Sequence, residues 1–232
     1  MSHLLLTGIL VLLLTACQSI RTRTPEEVLQ KSMQASTALS SVSYTVRATH
    51  TTENGDHTNV LLQGNFDRES QKNDWYISVE RNGTFIGSTA GVSVEPNDSH
   101  LLPLPASLIR VVQDRGRTRW DDTMVYRYDV ALRDAEAENL IDALTENSSL
   151  LPRFRFTGTL WIDAESFLLR RSTWDVTTQA ADEMMKLDVT FKNDRTAPTM
   201  QTPNVTVKHI FENIPPSLSL LLGIPKVTDE MQ

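Results

Sequence analysis

The sequence predicts an α+β domain that is mainly β, an antiparallel sheet accompanied by three or four short helices. Three observations predict it. The apolar period changes from 3.6 to 2 at Val42, where Val42, Tyr44, Val46 and Ala48 begin to alternate with Ser43, Thr45, Arg47 and Thr49. The same alternation returns late in the chain. There Phe154, Phe156, Gly158, Leu160 and Ile162 interleave with Arg153, Arg155, Thr157, Thr159 and Trp161. Between such runs stand Asn54-Gly55 and Asn82-Gly83, pairs that favour tight hairpin turns. Summed along the chain, the pattern gives about eight to ten strands, each with one apolar and one polar face. Such a sheet must close into a barrel or sandwich, or curve around helices. Periodicity leaves both open.

The first segment is an apolar run that begins at Leu4 and closes on Leu14-Thr15-Ala16-Cys17. About a dozen apolar residues is too short for a bilayer span, which needs roughly 20, but suits the h-region of a secretory signal. A hydrophobic run, two small residues and a cysteine form the recognition sequence of a bacterial lipoprotein signal peptide. The n-region Met1-Ser2-His3 lacks the usual Lys or Arg. Cys17 is the chain's single cysteine, so no internal disulfide competes for it. The expected division is a signal over residues 1–16, a lipidated linker over 17–23, and one domain over 24–232. Cys17 is the expected lipidation site, giving a membrane anchor through acyl chains such as palmitate. The protein would then be extracytoplasmic, on the outer face of the cell membrane or in an outer membrane. Gln18, not Asp, follows the cysteine.

Thr24-Pro25-Glu26-Glu27 is a capping box with proline at the first helical position. It predicts a helix running to about Leu39, with Val28, Ser32, Ala35 and Leu39 on one face. From Val42 to residue 95 the pattern is a meander. Val60, Leu62 and Phe66 lie on its second strand and Trp75, Ile77 and Val79 on its third. Leu108, Ile109, Val111 and Val112, after Pro103 and Pro105, suit a short helix. A strand over Met124–Leu132 puts Tyr126, Tyr128 and Val130 on one face. Asp134 then caps a helix with Ala137, Leu140, Ile141 and Leu144 along its buried side. After the Phe154–Ile162 strand, Phe167 and Leu169 point inward, but Trp174 and Val176 have the opposite parity. That phase change predicts a β-bulge near Arg170–Ser172. Met185, Leu187, Val189 and Phe191 mark another strand, and Val205–Phe211 a last one before an apolar tail, Leu218–Ile224.

Composition narrows function. The net charge of −7 opposes nucleic-acid binding, whose affinity rests on neutralising phosphates. No Gly-x-Ser-x-Gly elbow, phosphate-cradling glycine loop or metal-ligand spacing occurs. No catalytic residue, metal site or cofactor is expected, and the chain reads as a non-enzyme. His50 and His57 flank the Asn54-Gly55 turn beside Glu53 and Asp56, which reads as a solvated hairpin tip. Arg115-Gly116-Arg117-Thr118-Arg119-Trp120 is the one basic run. It reads as an exposed loop balanced by Asp121 and Asp122, against the alternative of a head-group or partner contact. Arg170-Arg171 would either neutralise a head group at a cavity mouth or lie solvated outside.

Phe156-Thr157-Gly158-Thr159-Leu160-Trp161-Ile162-Asp163, followed by Ser166-Phe167-Leu168-Leu169-Arg170-Arg171, resembles the LolA/LolB lipoprotein-carrier fold. In particular it is similar to the LppX/LprG-type lipoproteins. This chain has Ser166-Phe167-Leu168 where they have a Gly-Leu-Pro turn. The resemblance implies a bent antiparallel half-barrel of about 8–11 strands with helices packed on its concave side. It also implies non-covalent carriage of acyl chains in an apolar cavity. The residues expected to line that cavity are Val42, Tyr44, Val46, Val60, Leu62, Trp75, Ile77, Phe154, Phe156, Leu160, Leu187 and Val189. The expected partners are a lipid or acylated ligand, the membrane through the anchor, and an envelope protein. The competing expectation is a non-enzymatic interaction, assembly or stress-sensing module on the same fold, with a filled core.

Overall fold

The computed structural model describes residues 23–93, 108–132, 154–178, 183–192 and 207–222. Cys17 with its signal, the helix expected after Asp134, and Ile224 lie outside the described residues.

Helix α1 (Pro25–Thr37) begins as its sequence requires. The Thr24 hydroxyl accepts from the Glu27 N–H, and the Glu27 carboxylate accepts from the Thr24 N–H, both at 3.3 Å. Two of the N–H groups that any helix start leaves unpaired are thereby satisfied. Val28, Leu29 and Ser32 are buried along one stripe.

Nine strands follow: β1 (Ser41–Thr52), β2 (His57–Asp67), β3 (Lys72–Arg81), β4 (Thr84–Ser93), β5 (Ile109–Trp120), β6 (Thr123–Leu132), β7 (Phe154–Asp163), β8 (Leu169–Thr178) and β9 (Glu183–Lys192). They form one open, curled antiparallel sheet in the order β4-β3-β2-β1-β9-β8-β7-β6-β5. The layout is two meanders joined along β1 and β9, where Tyr44 faces Phe191 and Val46 faces Val189. Two short helices, α2 (Val207–Glu212) and α3 (Pro216–Leu221), complete the described residues. This is the half-barrel arrangement that the resemblance implied. No helix among the described residues is long and apolar enough to cross a membrane.

The turns follow from local chemistry. Asn82 and Gly83 both have positive φ, 49° and 79°, as a two-residue turn of the hand that suits strand twist demands. The expected bulge is present. Trp161 faces Arg171 but Ile162 faces Leu169, so Arg170 is the extra residue. It shifts β8 by one, and Ser172, Trp174 and Val176 are buried after it.

Three expectations are corrected. Leu108–Val112 is not a helix. Ile109 pairs with Leu132 and Val111 with Val130 at the start of the edge strand β5. The basic run 115–120 is likewise strand, not loop. Register breaks at Val112 and at Arg115–Gly116 scramble the alternation that would have revealed it. The stretch expected as a last strand is helical from Val207, and it packs Ile210 and Phe211 against the sheet.

Candidate functional site

Because cross-strand partners share a face, register settles which residues look the same way. Val46 faces Leu62, which faces Ile77; on its other side Val46 faces Val189, which faces Ser172, then Leu160, then Tyr128. All twelve residues expected to line a cavity lie on this inner face. Eleven are buried, and Trp75 is partly buried against the same cluster. The face is covered by helices. Val28 and Leu29 of α1, Ile210 of α2 and Leu218 of α3 belong to the cluster, as do Ile214 and Leu222 beside them.

The floor of this face is aromatic rings laid over glycines. A Cβ on Gly64 would lie 2.2 Å from the Tyr44 ring, and one on Gly158 would lie 2.1 Å from the Thr173 carbonyl and 2.8 Å from Trp174. The absent side chains let Tyr44 and Trp174 lie flat across neighbouring strands. The Tyr44 hydroxyl donates to Asn73 Oδ1 at 3.1 Å. Burial raises its pKa, partly offset by that bond. Trp75 packs on Phe211 of α2, ring centroids 6.2 Å apart.

One end of the inner face is polar and was not legible beforehand. The β7–β8 turn is organised by Asp163, whose carboxylate accepts from the N–H groups of Glu165 and Ser166, both at 2.9 Å. The same carboxylate binds the Arg170 guanidinium at 3.1 and 2.9 Å. Burial pushes the carboxyl pKa up, but these donors outweigh it and hold it below the ordinary range. The turn forces Phe167 into the left-handed region, φ 61°, a costly conformation for a bulky residue. Its ring lies 6.3 Å from Tyr126, which stacks on Tyr128 at 6.3 Å. Three cations gather on this stack. Arg23 lies 4.6 Å and Lys31 5.1 Å from the Phe167 centroid, and Arg117 lies 4.8 Å from that of Tyr126. Arg117 also donates to the Tyr126 hydroxyl at 2.5 Å. Burial is the main cause that lifts the Tyr128 pKa well above the usual phenol range. Asp114, Tyr126 and Glu26 add to it, and Arg117 opposes.

The outer face is a surface of Thr and paired charges. Arg171 binds Asp188 through two bonds of 2.9 and 2.7 Å, which raises the guanidinium pKa further. Trp161 lies between Arg127 and Arg171, at 5.6 and 5.0 Å. Arg115 binds Asp129 at 2.7 Å, and at the end of the β5–β6 hairpin Arg119 binds Asp122 at 3.2 Å. Of the pair Arg170-Arg171, each guanidinium holds a carboxylate, Arg170 that of Asp163 and Arg171 that of Asp188.

His50 is not at a solvated tip. It is buried on the inner face opposite Thr58 and Met185. Its Nε2 lies 3.4 Å from Glu183 but makes no hydrogen bond. Among the described residues no group of three or more His, Cys, Asp or Glu side chains is placed to hold a metal.

No family model and no curated protein matches this sequence. Solved structures do resemble it. The Mycobacterium tuberculosis lipoprotein LppX is 14% identical, with 77% of this chain and 100% of that one covered and a TM-score of 0.42. MucB, solved in complex with MucA, is 13% identical over 80% of this chain and 63% of its own, TM-score 0.33. A LolA superfamily protein from Nitrosomonas europaea is 10% identical over 76% and 96%, TM-score 0.27.

Proposed function

We propose that this chain is an envelope lipoprotein, anchored through acylated Cys17, that binds or carries a hydrophobic ligand without catalysing a reaction. The observation that supports this reading is the inner face. It is a broad apolar surface on a sheet that is open among the described residues, and the described helices cover it. A sheet built to be a solid core gains by closing, since open edges leave backbone groups unpaired. An open sheet with α2 and α3 as a removable cover suits the entry of acyl chains, each buried methylene contributing about 0.8 kcal/mol. Release would occur on contact with a membrane or a partner. The ligand would be a lipid or the acyl chains of another lipoprotein.

A second reading, a protein-interaction module with a filled core, is favoured by one observation. Ile210 and Leu218 are fully buried, as in ordinary packing. Native mass spectrometry of the full chain, released gently from membranes, separates the two. Co-purifying lipid that dissociates without bond cleavage is the expected result. A ligand-free protein under the mildest conditions would support the interaction module. Replacement of Cys17 by Ser is expected to abolish incorporation of labelled palmitate.

A further inference from the structure

We propose that Arg23, Lys31 and Arg117 form a subsite for an anionic group, phosphate or carboxylate, on the ligand whose chains occupy the inner face. The ligand is thus an anionic amphiphile. This inference rests on the reading of the inner face as an acyl-chain site.

The three cations come from three places in the chain: the approach to α1, α1 itself, and β5. They converge on one aromatic stack, Phe167-Tyr126-Tyr128, at the end of the inner face. Arg115, Arg119, Arg170 and Arg171 each hold a carboxylate, whereas among the described residues none lies within ion-pair distance of Arg23, Lys31 or Arg117. What sets these three apart is their placement, since cations from separate parts of the chain meet on one aromatic stack. A guanidinium has five N–H donors, so Arg117 spends one on the Tyr126 hydroxyl and retains others of the kind that bind phosphate or carboxylate. The acids nearby are Glu26 and Asp114. Both act on Tyr128, and Asp114 already accepts from the Gly116 N–H at 2.7 Å. The left-handed backbone of Phe167 is the second observation. The Asp163 turn holds a bulky residue in a strained conformation, and the result is a ring placed where Arg23 and Lys31 meet it.

The test compares two amphiphiles with one palmitoyl chain: 1-palmitoyl-lysophosphatidic acid and monopalmitoylglycerol, which lacks the phosphate. Each is titrated below its micellar concentration into the full chain by calorimetry. The expected result is binding of the phosphate-bearing amphiphile about ten-fold tighter or more. In the variant Arg23→Gln/Lys31→Gln/Arg117→Gln that advantage is lost while binding of monopalmitoylglycerol is unchanged. Lys31→Gln alone, at an exposed helix position, keeps the fold intact and is expected to lose part of the advantage. Equal affinity for the two amphiphiles, or variants that leave the ratio unaltered, overturns the subsite but leaves the apolar site standing. Binding of neither amphiphile overturns the carrier reading. Inorganic phosphate then decides the subsite: saturable binding lost in the triple variant supports it, and no binding overturns it.

Discussion

The two faces of the sheet are built from the same strands, residue by residue, yet they obey different physics. On β7, Phe154, Phe156, Leu160 and Ile162 are buried, while Arg155 and Thr157 between them are exposed. The inner face is held by apolar burial and by rings lying over glycines, so its energetics depend on shape. The outer face is held by threonines and charge pairs such as Arg171–Asp188, so its energetics depend on solvent and salt. A residue's position in the alternation thus predicts the size of its contribution better than its chemistry alone.

The comparison is broken most sharply by truncation within one strand. Phe156→Ala is expected to cost about 3–5 kcal/mol, whereas Thr157→Ala beside it should stay within about 0.5 kcal/mol. Urea unfolding of the two variants checks this, and similar midpoints would remove the distinction between faces. Gly158→Ala comes next. Its new methyl meets the Thr173 backbone at 2.1 Å, which cannot rotate away, and a loss of about 1–3 kcal/mol is expected in the same measurement.

Asp163 sharpens the comparison, because it is a buried charge at outer-face parity. Asp163→Asn is expected to destabilise by about 1–3 kcal/mol, since Arg170 loses its charged partner. The pH dependence has a definite sign. The native carboxyl pKa lies below its unfolded value, so its stabilisation is complete above the ordinary carboxylate range and is lost as pH falls through the native value. Thermal melts between pH 7 and pH 3 should show a steeper acid loss for the parent chain than for Asp163→Asn. Smallest of all, Arg171→Ala on the part-exposed outer pair should cost about 0–1 kcal/mol and less in high salt. A salt-independent loss of several kcal/mol would show that the outer face is not solvent-governed.

Much of this was legible in the sequence, and the illegible parts have physical causes. Wherever a strand kept strict alternation, as in Phe154–Ile162 and Met185–Phe191, period and burial coincide. The bulge at Arg170 was legible because only one residue was inserted and the apolar pattern resumed with inverted parity. Strand β5 was not, because two breaks within a dozen residues leave no periodic run long enough to read. The twelve inner-face residues were legible as a face. The cations at its end were not, because Arg23, Lys31 and Arg117 are distant in sequence and are brought together by tertiary folding and the Asp163 turn. The nearest signal was Ser166-Phe167-Leu168 itself, a departure from the Gly-Leu-Pro turn at the position that presents the ring.

The junction of β1 with β9 has a kinetic consequence. Each meander contains mainly neighbour-to-neighbour pairings that form locally, but Tyr44 finds Phe191 only after nearly the whole chain has been made. Closing so long a loop costs entropy before any contact rewards it, and folding rates fall as contacts become more distant in sequence. The chain should therefore fold on the slow side of the range for its size, with the nascent N-terminal meander waiting, one edge unpaired, for its last strand.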